Sequence, residues 1–502
     1  MKRSINTSSG SLLALIREGR PMTTGQQLLL TAQLSVPAIM AQFSSIVMQY
    51  IDAAMVGSLG AAPAASIGLV STTTWLFGGS CSAAATGFSV QVAHAFGAGD
   101  MKWARSILRQ AFVAVLSFGL LLAAAGMAIS GALPGWLGGD PQIRSGASLY
   151  FLIYSAFLPV LQLVILAGGM LRSSGNMHIP SLLSVLMCVL DVVFNYFLIF
   201  PTRDISLGGL TVTMPGAGWG VAGAAVGTGL AEVVVAGLMT LFLCTRSPHL
   251  RLNRERGSFR PTRATLRKAL HIGLPMGLEH AVICGAQIMT TVIVAPLGIF
   301  AIAANSFAIT AESLCYMPGY GIGDAATTLV GQSYGAGRRE LARRFAYITV
   351  LSGMAVMGIM GVVMYLGAPL LIGAMTDVPE VLDLGVMALR IEAFAEPGFA
   401  AAIVAYGVFV GAGNTVVPCL MNLFSIWAVR LTLAASLAPS MGLRGVWLAM
   451  CIELCFRGAI FLVRLVRGRW LKHIPQRAAA CRPQASSTTV MPAPPNCTCS
   501  SR

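Results

Sequence analysis

One stretch of the chain, Pro37 to Arg105, occurs twice, and this repeat constrains the fold more than any other feature. Displacing the sequence by 238 positions lays Pro37 on Pro275, Gln49 on Gln287 and Leu59-Gly60 on Leu297-Gly298. The same displacement carries Gly97-Ala98-Gly99 onto Gly335-Ala336-Gly337, Ala104-Arg105 onto Ala342-Arg343, Gly175-Asn176 onto Gly413-Asn414 and Pro180 onto Pro418. Gly, Pro and Asn fix turns and helix ends, so a gapless register among them records the lengths of the elements in between. The chain is two copies of one unit.

Charged residues make up 10% of the 502-residue chain and hydrophobic ones 56%, against roughly 25% and 45–50% in soluble proteins. So few charges do not cover a soluble core of this size. The apolar residues come in runs of about 20 or more, the length that crosses a bilayer as a helix. The chain therefore reads as an all-α integral membrane protein. Spans are expected at about 29–57, 66–94, 107–131, 148–171, 180–201 and 217–244. Six more follow at about 269–296, 302–331, 344–374, 387–411, 417–440 and 443–467. The domain plan is a tail (1–28), a first six-helix lobe (29–244), a basic linker (245–268), a second lobe (269–467) and a second tail (468–502). No cleavable leader is expected in Met1 to Gln26, because the apolar run Leu12 to Ile16 is too short. It is read as a tail with a short surface helix. From Ala478 onward the Ser-, Thr-, Pro- and Ala-rich composition predicts disorder.

Basic residues set the orientation. Lys102, Arg105, Arg109, Arg172, Arg338, Arg339, Arg343 and Arg344 occupy alternate loops, and the 6–7 linker carries Arg246, Arg251, Arg254, Arg256, Arg260, Arg263, Arg267 and Lys268. The opposite loops carry Asp140, Asp204, Asp377, Glu380 and Asp383, with Arg144 and Arg203 as the basic exceptions. Both termini are thus expected in the cytoplasm. Six spans per copy make the copies parallel, related by a pseudo-two-fold axis along the membrane normal. The net charge of +15 is assigned to anionic lipid heads; no nucleic-acid partner is expected. The linker is expected to form an amphipathic surface helix around Thr262 to Lys268. The 11 cysteines imply no disulfide framework, and Cys497-Thr498-Cys499 is too short a pattern for a metal site. No cofactor is expected.

The informative residues are charges out of place. About half of the 18 acids fall within spans: Asp52, Asp191, Glu232, Glu279, Glu312, Asp324, Glu392, Glu396 and Glu453. A carboxylate at mid-bilayer costs about 2.5–3.5 kcal/mol even on the lenient scale, so these acids are expected to face an interior cavity or a partner. The intramembrane cations Arg390, Arg430, Arg457 and Arg464 all lie in the second half. The acids of the first half have none at similar depth, and unpaired acids lining a cavity attract cations and take up protons. Asp191 and Asn195 sit one turn apart on span 5 and share a face. Asp52, Asp191 and Asn195, with Gln49 nearby, form the expected cation site, able to hold H⁺ or Na⁺. Glu279 follows Pro275 by one turn, and Glu396 precedes Pro397, where a broken helix would make a site. Glu232, Glu312, Asp324, Glu392 and Glu453 read as structural partners of polar groups or of the arginines.

Pro37 with Gln49-Tyr50-Ile51-Asp52-Ala53-Ala54-Met55-Val56-Gly57-Ser58-Leu59-Gly60 resembles the first-helix signature of multidrug and toxic compound extrusion (MATE) transporters. Gly97-Ala98-Gly99-Asp100 and Gly335-Ala336-Gly337 are similar to the family's paired motif after spans 2 and 8. Gly273-Leu274-Pro275 with Glu279, Gly411-Ala412-Gly413-Asn414-Thr415, Trp427-Ala428-Val429-Arg430 and Gly445-Val446-Trp447 extend the resemblance over about residues 30–470. It implies two six-helix lobes in a V, efflux of organic cations driven by inward Na⁺ or H⁺, and a multi-pass protein of the bacterial inner membrane. Asp52 matches the family's first-helix acid. On span 5 the family's Asn-then-Asp order is reversed here. Gln332 matches the Gln before the second Gly-Ala-Gly motif and His94 replaces it in the first, where a polar helix-end role is expected. Gln287 is the repeat mate of Gln49. Ile283 stands where some members carry a deeper span-7 acid. The expected mechanism is antiport by a monomer, with cargo and ion competing for the same carboxylates. A lipid-linked precursor flippase and a channel are the alternatives. The spans hold no arrangement that suggests an enzyme.

Overall fold

The computed structural model describes residues 8–207, 210–252 and 257–473. Arg254, Arg256 and the tail with Cys497-Thr498-Cys499 lie outside the described residues, so the expected disorder of that tail is outside them too.

The first half runs α1 (Ser9–Arg17), α2 (Thr24–Gly57), α3 (Ala61–Ala98), α4 (Met101–Ile129), α5 (Leu133–Trp136), α6 (Pro141–Ser173), α7 (His178–Ile199), β1 (Pro201–Leu207), β2 (Leu210–Ala217) and α8 (Gly220–Leu241). The second half runs α9 (Arg263–Val294), α10 (Ile299–Gly335), α11 (Arg339–Gly373), α12 (Pro379–Glu392), α13 (Glu396–Gly411), α14 (Val416–Phe424), α15 (Leu431–Met441) and α16 (Leu443–Arg467). Among the described residues, ten helical spans are long and apolar enough to cross a membrane, and α12 with α13 makes an eleventh, bent by 59°. α3 is the twelfth element of spanning length. Its Ala-, Gly-, Ser- and Thr-rich sequence is less apolar but lets neighbours approach closely, as small residues do between membrane helices.

The repeat is visible in the backbone. Gly60 and Gly298, Gly99 and Gly337, and Gly175 and Gly413 all have positive φ, each pair 238 residues apart. The Gly-Ala-Gly-Asp motif has a direct reading: Gly99 ends α3 in the left-handed region (φ 77°), and the Asp100 carboxylate then caps α4 by accepting from the Trp103 amide at 2.9 Å. In the second copy Arg338 replaces the capping acid.

Each half packs mainly on itself, with α3, α4 and α8 grouped about α6 and α7 on α2 and α8, and with α10, α11 and α16 about α13 and α12 against α10, α11 and α16. The halves also exchange contacts: α2 packs on α10, α9 on α3, and α3 on α10. These four helices form the seam between the lobes.

Three elements differ from the sequence expectation. The run Arg263 to Lys268 is the first part of α9 and continuous with span 7, because Thr262 caps the helix before it; it is not a separate surface helix. A hairpin joins spans 5 and 6, pairing Ile205 with Val212 and Leu207 with Leu210, so among the described residues the fold is all-α apart from this loop. Helix α1 exists but is docked, not free: Leu12 and Ile16 are fully buried, and the Arg338 guanidinium donates to the Leu15 carbonyl at 3.1 Å.

Candidate functional site

The first-half acids converge. Asp52 lies in the last two turns of α2, five residues before its end at Gly57, and Asp191 and Asn195 lie one turn apart on α7, which packs against α2. The Asn195 amide Nδ2 donates to Asp52 Oδ1 at 2.8 Å and to Asp191 Oδ2 at 3.2 Å. Asp191 and Asn195 are fully buried. The two carboxyls are also in side-chain hydrogen-bond contact, with Thr228 beside Asp191. Asp191 Oδ1 and Asn195 Oδ1 remain without partners. Gly227 lets α8 come this close, since a Cβ there would strike Asn195 Oδ1. Two carboxyls sharing one amide, with spare oxygens inside a lobe, are a donor set for a proton or a small hard cation. Gln49, three residues before Asp52 on α2, is exposed.

A second acid group lines the cavity between the lobes, of about 400 Å³, within the range of drug-sized sites. Its wall includes Glu279, His280, Arg172, Asp324, Tyr406 and Asn422. Glu279 is buried and accepts from the Tyr406 hydroxyl and the Asn422 amide. Its span-7 position was legible in the sequence; its partners on spans 10 and 11 were not, because nothing in their spacing marks them. Arg172 Nε lies 4.0 Å from Asp324 Oδ2. The cavity is thus mixed in charge.

The remaining acids of the second half divide. Glu453, fully buried, accepts from Ser425 Oγ, from Arg430 Nε at 2.9 Å and from Arg457 Nη2 at 3.1 Å. Ser425 and Arg430 bound a stretch of span 11 that widens into a π-helical turn, a device that re-aims side chains. Glu396 opens α13 immediately after the bend, where Pro397 withholds its amide from the helix. It is fully buried with no strong donor on either oxygen, and the Cys315 thiol is its neighbour. Gln287 lines a smaller cavity together with Trp75 of the first half and Glu312, Arg430 and Arg457 of the second. Among the described residues, no group of three or more His, Cys, Asp or Glu is placed to hold a metal ion.

The arginine-rich ends of the lobes are clasped. His94 Nε2 donates to the Gly411 carbonyl at 2.8 Å, and Gln332 Nε2 to the Ser173 carbonyl at 2.9 Å. A Cβ on Gly97 would strike the Gln332 carbonyl, and one on Gly335 the His94 carbonyl. This is why both copies keep glycine there: the backbones of α3 and α10 touch.

A two-lobed helical membrane protein with an interlobe cavity and buried acids in each lobe has the build of a secondary transporter. The chain belongs to the MatE family, which it matches at residues 37–197 and 275–435, two segments offset by 238 at both ends. It is 26% identical over 446 residues to a probable multidrug resistance protein NorM of Thermotoga maritima, covering 88% of this chain and 92% of that one. A NorM of Pseudomonas aeruginosa is 29% identical over 430 residues, with 83% and 84% covered. Among solved structures, a MATE transporter in complex with MaL6 superposes with a TM-score of 0.82 at 20% identity, over 92% of this chain and 99% of that one. A MOP superfamily transporter from Pyrococcus furiosus, described as having a binding pocket of reverse polarity, superposes with a TM-score of 0.81 at 19% identity, over 93% and 99%.

Proposed function

We propose that the protein is a multidrug efflux antiporter that exports organic cations in exchange for inward H⁺ or Na⁺. Asp52, Asp191 and Asn195 take the coupling ion, and the interlobe cavity takes the cargo. The observation that carries this reading is the Asn195 amide shared between two buried carboxyls. Two anions held this closely cannot both keep their charge cheaply, so the site alternates between a loaded and an unloaded state. Loading it changes how α2 packs on α7, and α2 is also the helix that reaches across the seam to α10.

On this reading the lobes (29–244 and 269–467) rock as bodies about the seam, the protein acts as a monomer, and no organic cofactor takes part. Both termini and the arginine-rich loops lie in the cytoplasm, against the anionic lipids of a bacterial inner membrane. The protein moves its cargo unaltered and is not an enzyme. The NorM relatives are described as probable multidrug resistance proteins, which supports drug-like cargo.

The test is uptake of a fluorescent organic cation into inverted vesicles under an imposed Na⁺ or H⁺ gradient. Gradient-driven uptake is expected with one of the two ions; no uptake with either would overturn the reading.

A further inference from the structure

Arg172 and Asp324 face each other across the seam. Arg172 lies in the last turn of α6 in the first lobe and Asp324 on α10 in the second. Their side chains are 32% and 38% exposed, and both line the central cavity. At 4.0 Å and with that exposure, the pair adds little to stability.

Its surroundings give it another use. Asp324, Thr328 and Gln332 recur at every fourth residue and form one face of α10. Thr328 Oγ1 donates to the Arg172 carbonyl at 3.2 Å, and Gln332 to the Ser173 carbonyl at 2.9 Å. One stripe of the second lobe is therefore clipped to the end of α6 by an ion pair and two hydrogen bonds. Any parting of the lobes at this end opens all three contacts together. The ion pair is an addition to the repeat: the matching positions are Thr86 and Val410, and the His94–Gly411 contact closes that side without charges. Closure does not need the pair. The cavity's other acid, Glu279, is occupied by Tyr406 and Asn422, whereas Asp324 holds its partner loosely.

We infer that Asp324 is the carboxylate that binds the cationic group of the cargo, an ammonium or amidinium, and that Arg172 is a tethered cation that displaces it. This rests on the efflux reading above. With the arginine-rich ends parted, Arg172 withdraws with its lobe and leaves Asp324 facing the cavity without a counter-charge. A cargo cation takes that place. When the lobes close, the guanidinium returns at the high effective concentration of an attached group, and the cargo loses its counter-ion as the opposite exit opens. The cavity's charge is balanced at both ends of the stroke. A neutral cargo gains nothing at Asp324 and is not ejected.

The experiment uses the full-length protein in proteoliposomes, with ethidium as the probe for binding and for efflux. Asp324→Asn is expected to weaken ethidium binding, and Arg172→Gln to tighten it while slowing release, each by about tenfold, the scale of one partly screened charge contact. Arg172→Lys keeps the tethered charge and restores wild-type behaviour. The double variant binds as weakly as Asp324→Asn alone. If Asp324→Asn and Arg172→Gln shift affinity in the same direction, or neither shifts it while the wild type transports, the pair is structural and the inference fails. A wild-type protein that carries no cation under either gradient instead overturns the efflux reading.

Discussion

His94 and Gln332 stand 238 residues apart and do the same work. Each lies near the end of its copy's second span and donates to a carbonyl of the other lobe, Gly411 at 2.8 Å and Ser173 at 2.9 Å. The acceptors are also 238 residues apart, so the closure has the symmetry of the repeat. A carbonyl only accepts, which fixes the proton on His94 Nε2. The tyrosine Tyr334 stacks on the His94 ring at 4.2 Å and bridges the two motifs.

This symmetry makes a substitution test available. Glutamine already serves at the equivalent position, so His94→Gln is expected to keep the arginine-rich end closed. His94→Ala leaves the Gly411 carbonyl unpaired, at a cost of about 1–3 kcal/mol, and shifts the protein toward opening at that end. A cysteine at Ser89, on the cavity wall, reports the shift. Its labelling from the arginine-rich side should rise in His94→Ala and stay at the parent rate in His94→Gln.

The shared amide of Asn195 predicts how the coupling acids behave together. Asp52→Asn keeps size and hydrogen bonding but removes the charge, so abundance should stay near normal while gradient-driven efflux collapses. Asp191→Asn should do the same. Residues joined in one network are not additive, so the double variant should be little worse than either single one. Wild-type efflux in a well-expressed Asp52→Asn protein would remove Asp52 from the mechanism.

How much of this was legible in the sequence follows from what the repeat copies. Glycines at 60, 99 and 175 recur at 298, 337 and 413 because backbone geometry requires them, so element lengths and the closing motifs are legible in the sequence. The chemistry does not repeat. Asp52 matches Thr290 and Glu279 matches Ala41, so neither lobe's acids foretell the other's partners. Asp191 and Asn195 declared themselves by helical spacing. Tyr406 and Asn422 could not, because they reach Glu279 from two other helices, 127 and 143 residues away in the chain. The docking of helix α1 is not legible in the sequence for a related reason. Leu12, Leu13, Leu15 and Ile16 form too short a run to signal a span, and their burial depends on a surface that exists only once both lobes' ends are assembled.

The orientation given by the basic loops is checked by paired cysteines. Ser258 and Asp377 are both exposed and lie in connections at opposite ends of the helices. In whole cells Ser258→Cys should react with membrane-permeant thiol reagents alone. Asp377→Cys should react with impermeant ones as well. The reverse pattern would invert the assigned topology.

Glu453 separates structural acids from working ones. Its carboxylate is fully buried and accepts from Ser425, Arg430 and Arg457. The sequence pairing of this acid with an arginine is realised twice over, and the Ser425–Arg430 turn is wound so that both of its ends point at the same carboxylate. Two guanidiniums on one carboxylate leave a net positive charge at that point, and Glu312 and Glu392 act on Arg430 through the same interior. Glu453→Gln removes the charge that compensates both arginines while leaving them enclosed. Breaking one side of a buried ion pair costs about 3–5 kcal/mol, a large fraction of what holds most folds together. The expected result is a fall in thermal stability in detergent and in abundance in the membrane, with the surviving protein still coupled to its ion. Asp52→Asn should give the opposite pattern, normal abundance with lost coupling. If Glu453→Gln were as stable as the parent yet uncoupled, the ion site would have to be moved from the first lobe to the second.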